Sequence, residues 1–228
     1  MKERYLSHVL TTKPCIKVPR QKLKCAILDW NGTIFDDTDA VFSATTDGLS
    51  ALGYPPPTFR RFRRTSAQDP VTHLHALGVT DTEHCRIFCA EFFGRYKRAL
   101  AAHPPKVRER FPELLNVFRE QGVSTAIVSN HPTEMLLGEV QQFNVEVDIV
   151  VGRNEENFSK RKRAQSLLDK LQINADQVTV IGDGMADVAL ATDLGALCIA
   201  VSWGMTSPGR LKKLGIQVVS CPSQIVVD

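Results

Sequence analysis

The sequence predicts an α/β protein built on a doubly wound parallel sheet, with an inserted α-helical cap domain. Three observations predict it. Six short runs rich in Val, Ile and Leu recur along the chain. Segments of helical spacing separate the later runs, so that strand and helix alternate from residue 112 onwards. Residues 29–122 lie between the first run and the second, where a parallel crossover needs only about a dozen residues, so something is inserted there.

The apolar runs are 23–28 (LKCAIL), 123–128 (VSTAIV), 147–151 (VDIVV), 178–181 (VTVI), 197–201 (LCIAV) and 216–219 (IQVV). Each has the near-continuous apolarity of a strand covered on both faces. Between them, Leu114, Val117 and Phe118 share one helical stripe, Ala164, Leu167, Leu168 and Leu171 another, and Val188, Leu190 and Leu194 a third that Gly195 closes. Within the insertion, Thr38 is expected to cap a helix carrying Val41, Ala44, Leu49 and Leu52, which Gly53 ends. The prolines of YPPPT then impose an extended turn before the basic stretch FRRFRR at 59–64. A long helix follows over 82–101, with Cys85, Phe88, Cys89, Phe92 and Tyr96 on one stripe. That stripe reads as core rather than as a zinc site using His84, Cys85 and Cys89. The expected organisation is a loosely ordered basic leader at 1–21, a core domain formed by 22–37 and 109–228, and a helical cap at 38–108.

Composition narrows the functional classes. Hydrophobic residues make up 43% of the chain and charged residues 23%, which suits a globular domain rather than a disordered chain. No run is long enough to span a bilayer. A net charge of +3 is too small to indicate nucleic acid. Six cysteines without CxxC spacing fit reduced, packed thiols, and the protein is expected to be cytoplasmic.

In a doubly wound sheet, ligands bind beyond the carboxyl ends of the strands. The residues standing there are Asp29, Asn31 and Thr33 after the first run, Ser129 and Asn130 after the second, and Asp183 and Asp187 after the fourth. Lys160 opens the helix leading into that fourth strand. Three acids at one sheet edge call for a cation, and oxygen ligands suit Mg²⁺. Asn31-Gly32 between apolar runs can also be read as a type I′ hairpin turn.

The motifs DWNGT (29–33), VSN (128–130), Lys160 and IGDGMAD (181–187), in this order, resemble the four signatures of the haloacid dehalogenase superfamily, in its phosphoglycolate phosphatase-like branch. The resemblance covers about residues 22–228 and implies a Rossmann-like core. It also implies a Mg²⁺-dependent phosphatase acting on a small anionic phosphorylated metabolite; from charge and hydropathy, no nucleic acid or membrane partner is expected. On that resemblance Asp29 attacks phosphorus to form an aspartyl phosphate, and Thr33, Ser129, Asn130 and Lys160 hold the phosphoryl group. Asp29, the Asn31 carbonyl, Asp183 and Asp187 would bind the metal. Arg60, Arg61, Arg63 and Arg64 are candidates for a substrate carboxylate, although helical spacing prevents all four from facing one pocket. The departure is Asn31, where related hydrolases usually carry a second aspartate. An asparagine neither gives nor takes a proton at neutral pH. A weakly active pseudoenzyme or regulatory binding module, and a phosphonate hydrolase, are the alternatives this leaves open.

Overall fold

The computed structural model describes residues 15–19, 22–154 and 159–228. In chain order its strands are β1 (Ile16–Val18), β2 (Cys25–Leu28), β3 (Ser124–Pro132), β4 (Ile149–Arg153), β5 (Val178–Gly182), β6 (Leu197–Val201), β7 (Gln217–Val219) and β8 (Ile225–Val227). The α-helices are α1 (Thr38–Ala51), α2 (Phe59–Thr65), α3 (Pro70–Leu77), α4 (Thr82–Ala102), α5 (Phe111–Glu120), α6 (Thr133–Gln142), α7 (Lys160–Leu171), α8 (Met185–Leu194) and α9 (Pro208–Lys213).

Six strands form one parallel sheet in the order β4-β3-β2-β5-β6-β7. Every expected strand is present. The chain winds outward from β2 through β3 to β4, then returns beside β2 as β5 and winds the other way. The switch point therefore lies between β2 and β5, and a crevice opens there at the carboxyl end of the sheet. Alternate residues of β2 serve opposite faces: Ala26 and Leu28 pack with Phe111, Leu114, Leu115 and Phe118 of α5, whereas Cys25 and Ile27 pack with Leu167 and Leu168 of α7 and Leu190 of α8. Burial on both sides is why the run carries no polar alternation.

Two expectations are corrected. Within the leader expected to be loose, Ile16–Val18 form a strand paired in parallel with β8, and Val18 is buried in the main core; the rest of the leader, 1–14 and 20–21, lies outside the described residues. Thr38 is the first residue of α1 and not its cap; Asp37 precedes it and makes no capping bond to the helix, because its carboxylate is used elsewhere.

The helical insert, α1 to α4, leaves and rejoins the core by adjacent segments. Asp36 N–H donates to the Lys106 carbonyl at 2.9 Å and Arg108 N–H to that of Ile34 at 2.8 Å. The insert has its own core of Leu49, Leu74, Leu77, Val79, Cys85 and Phe88. Its helix starts are set locally: the Thr58, Asp69 and Asp81 side chains accept from the N–H groups of Arg61, Thr72 and His84. His84 Nδ1 pairs with the Tyr54 hydroxyl at 2.9 Å.

Candidate active site

Asp29 follows the last residue of β2, and its N–H donates to the Ile181 carbonyl at 2.9 Å, which continues the ladder one step past the strand. The chain then folds into a compact loop in which the Trp30 carbonyl accepts from the N–H groups of Thr33, Ile34 and Phe35 at 3.0 to 3.1 Å. Gly32 has φ +73°, and a Cβ on it would lie 2.8 Å from an Asp183 carboxylate oxygen. Asn31 does not share the positive φ, and both neighbours of β2 are parallel. The hairpin reading is therefore excluded, and the loop instead holds Asp29 at the crevice.

Asp183 and Asp187 follow β5. Asp183 accepts from Thr33 Oγ1 at 3.0 Å and from Met205 N–H at 2.5 Å, and a Cβ on Gly204 would come within 2.3 Å of its carboxylate, so only glycine permits this approach. Asp187 sits in the first turn of α8 and accepts from Gly184 N–H at 2.9 Å. One oxygen from each of Asp29, Asp183 and Asp187 lies within 4.8 Å of the other two, and no other such cluster of His, Cys, Asp and Glu occurs among the described residues. Ser159 caps α7 and thereby sets Lys160, whose Nζ donates to Asp29 Oδ1 at 2.7 Å and to Asp187 Oδ1 at 2.5 Å.

The electrostatics follow from burial and crowding. Burial, then the Asp29 and Asp187 charges, push the Asp183 carboxyl well above its usual range. Burial and Asp29 likewise push Asp187 up to about 6, although Lys160 opposes them. Burial also works against the Lys160 ammonium, but the charges of Asp187 and Asp29 outweigh it and hold the amine above its ordinary value. One ammonium does not neutralise three carboxylates. The donor set is all oxygen, pre-shaped by hydrogen bonds and short of positive charge, and it fits Mg²⁺.

Ser129, near the end of β3, is buried; its Oγ accepts from His131 N–H at 3.2 Å, so its own proton can be donated. Arg163 clamps this segment by donating to the Ser129 carbonyl and to Asn130 Oδ1, both at 2.9 Å. Thr33, grouped with the phosphate ligands in the sequence, is buried, lines neither cavity and donates its hydroxyl to Asp183.

Asn31 is held from an unexpected side. Its Nδ2 donates to Asp37 Oδ2 at 2.7 Å and lies 3.2 Å from the Tyr96 hydroxyl. The same Asp37 accepts from Tyr96 at 2.6 Å and from Gly32 N–H at 2.9 Å, and burial raises its carboxyl to about 6. Asp37, Tyr96 and Arg163 were not among the sequence candidates for the site. Tyr96 could have been flagged, since a tyrosine in an apolar stripe must find a partner for its hydroxyl.

Two adjoining cavities lie between core and insert. The smaller, about 270 Å³, is lined by Asp29, Asn31, Ser129, Lys160, Asp183 and Asp187 among others. The larger, about 790 Å³, extends into the insert and shares Lys160, Asn130, Asp69, His73, Phe92 and Phe93, among others, with it. Arg60, Arg61 and Arg64 line neither. They lie on exposed faces of α2, and Arg61 donates to the Leu77 carbonyl at the end of α3. Arg63 turns to the core and donates to the carbonyls of Ser202 and Thr206 at 2.7 and 3.1 Å.

Among known proteins, the chain is similar over 198 residues to an N-acetylmuramic acid 6-phosphate phosphatase of Pseudomonas aeruginosa, at 26% identity covering 83% of this chain and 86% of that one. It is 22% identical over 210 residues to a phosphoglycolate phosphatase of Vibrio parahaemolyticus, covering 81% and 86%. Its fold superposes on a haloacid dehalogenase-like family hydrolase from Streptococcus pneumoniae with a TM-score of 0.76 at 17% identity, covering 90% of this chain and 97% of that one. The family model described as haloacid dehalogenase-like hydrolase matches residues 26–201, from β2 to the end of β6, and the chain belongs to that family.

Proposed function

We propose that this chain is a Mg²⁺-dependent phosphatase that hydrolyses a phosphorylated small molecule through an aspartyl phosphate on Asp29. The observation that carries the reading is the convergence of Asp29, Asp183 and Asp187 within 4.8 Å beside the Lys160 ammonium at 2.7 Å from Asp29. Its relatives named as phosphatases support the same class of chemistry.

Asp29, Asp183, Asp187 and the Asn31 backbone carbonyl would hold Mg²⁺, which when bound supplies charge against a phosphoryl dianion and the three carboxylates. The steps themselves belong to the side chains. An Asp29 carboxylate oxygen attacks phosphorus while the bond to the leaving oxygen breaks; water then attacks the phosphoenzyme and Asp29 is regenerated. Lys160 and Ser129 donate to the phosphoryl oxygens, whose charge spreads as the bond loosens. Lys160 also holds Asp29 in place through the bond from its Nζ to Oδ1 at 2.7 Å. The insert covers the crevice and limits water at Asp29. Asn31, whose amide is paired with Asp37 and Tyr96, gives no proton to the leaving group, where a proton donor would speed the loss of a poor leaving group by roughly 10²- to 10⁴-fold.

A screen of phosphate monoesters and acyl phosphates, with Mg²⁺ or EDTA, tests the reading. Mg²⁺-dependent turnover that Asp29→Asn abolishes is the expected result. Absence of turnover on every substrate would favour a second reading, a binding module, which the pinned and non-acidic Asn31 supports.

A further inference from the structure

The larger cavity has a composition that the proposed chemistry does not require. The phosphate end is served by the smaller cavity, where Lys160, Ser129 and the carboxylates gather. Beyond it the larger one runs between the helices of the insert and is walled by Val41, Phe62, Leu74, Phe88, Phe92 and Phe93. About 790 Å³ lies in the range of roughly 300–1,000 Å³ that accommodates drug-sized organic groups.

Charge is distributed unequally around this space. Among the described residues, no insert residue that lines either cavity is lysine or arginine. The ionisable groups the insert contributes to the larger cavity are Asp69, His73 and Cys89. His73 is driven towards neutrality by burial and by the charge of Arg210, with its pKa lowered to about 4. The cations, Lys160, Arg153 and Arg161, all come from the core side, and Arg153 is drawn over the face of Phe93 at 5.7 Å. The insert residues that line only the larger cavity, Thr45, Phe62, Leu74, Leu77, Phe88 and Cys89, carry no cation, and a second anionic group placed among them would be desolvated without a partner.

We infer that the substrate is a phosphate monoester of a large, uncharged, mainly apolar alcohol, whose organic part fills the chamber among Phe62, Leu74, Phe88, Phe92 and Phe93, and that a small phosphorylated acid is not the preferred substrate. This rests on the phosphatase reading for the position of the phosphoryl group, and it assigns the chamber its own ligand chemistry.

Binding of methyl-, butyl-, hexyl- and octylphosphonate, with phosphonoacetate as the carboxylated probe, tests it by calorimetry in the presence of Mg²⁺. Their P–C bond lacks the leaving oxygen, so affinity is read apart from turnover. Affinity should rise several-fold per methylene, about fourfold where each is fully buried, and phosphonoacetate should bind more weakly than butylphosphonate. Cys89→Phe, which narrows the chamber, should shorten the chain length at which the gain levels off. If that variant does not fold, the wild-type series alone decides. A flat series, or phosphonoacetate as the tightest ligand, overturns the inference while turnover of acetyl phosphate would leave the phosphatase reading standing. A rising series with no turnover of any phosphate sinks the phosphatase reading and keeps the chamber's assignment. Absence of binding by every phosphonate overturns the inference.

Discussion

Asn31 Nδ2 donates to Asp37 Oδ2 at 2.7 Å, so the amide that stands where related hydrolases usually carry an acid is matched to a buried carboxylate six residues on. This pairing changes what a substitution at Asn31 would do. Alone, Asn31→Asp would set two carboxylates against each other in a site where Asp37 is 1% exposed, and one of them would lose its donor. Stability at pH 7 should fall by about 1–3 kcal/mol, measured by urea denaturation. The Asn31→Asp, Asp37→Asn double variant exchanges donor and acceptor and should recover most of that loss. It should also raise turnover of alkyl phosphates relative to aryl phosphates, since position 31 then carries a group able to give and take a proton. Equal stability of the single variant and the wild type would show that Asp37 is not the partner that matters.

Magnesium should stabilise the fold. A ligand that binds only the native state adds about 2.7 kcal/mol at one hundred times its dissociation constant, visible as a rise in Tm. Asp183→Asn keeps the size of the side chain but removes a charge from the cluster, and the Mg²⁺-dependent rise should largely vanish. A shift of the same size in the variant would place the cation elsewhere.

His73 provides a pH test away from the acids. Burial, and secondarily Arg210, lower its pKa to about 4 in the folded protein from 6.5. The neutral ring is therefore the form that the fold accepts. Its contribution is complete above about pH 6.5 and is lost as pH falls towards 4, by up to about 3 kcal/mol. Asp37 and Asp187, raised to about 6, act with the opposite sign over much of that window, so the comparison must be between variants. The stability difference between wild type and His73→Gln should shift in favour of the variant between pH 7 and pH 4.5. A difference independent of pH would mean that His73 has the same pKa in the folded and the unfolded chain.

The parts of the site that could be read from the sequence are those that chain order alone fixes. Asp29, Ser129 and Asp183 follow apolar runs, and once the runs are parallel strands their carboxyl ends must lie together. Lys160 and Asp187 were legible because each begins a helix that packs beside those ends. Asp37 was not, because it lies in the string FDDTD, where several acids have equal claim to a loop or a cap. Its partner Tyr96 is 59 residues away on a helix whose stripe reads as core. The arginines failed for a related reason: spacing shows that four residues on a seven-residue helix cannot face one way, but not which one turns inward. The chamber depended on how α1, α3 and α4 pack, and no local pattern encodes the space they leave.

Arg63 supplies the last test, because it fastens the insert to the core. Its guanidinium donates to the Ser202 and Thr206 carbonyls, its own carbonyl accepts from Ser207 N–H at 3.0 Å, and Ser66 Oγ pairs with Thr206 Oγ1 at 3.0 Å. Arg210 adds a bond to the Ser66 carbonyl. These contacts hold the end of α2 against the segment that carries Gly204 and Met205, which cradle Asp183. Loss of the Arg63 side chain should therefore loosen the cover over the crevice and the placement of Asp183 together. Arg63→Ala is expected to lower kcat/KM by about tenfold or more, on the order of what a modest misplacement of reacting groups costs. It should also increase proteolysis at the insert. Arg60→Ala and Arg64→Ala, which remove exposed side chains that line neither cavity, should stay within about twofold of the wild type. Arg61→Ala should cost less than about 1 kcal/mol of stability through the end of α3 and leave catalysis alone. If Arg60→Ala or Arg64→Ala lowers kcat/KM as much as Arg63→Ala does, the basic face of α2 meets substrate directly, and the latch is not the reason Arg63 matters.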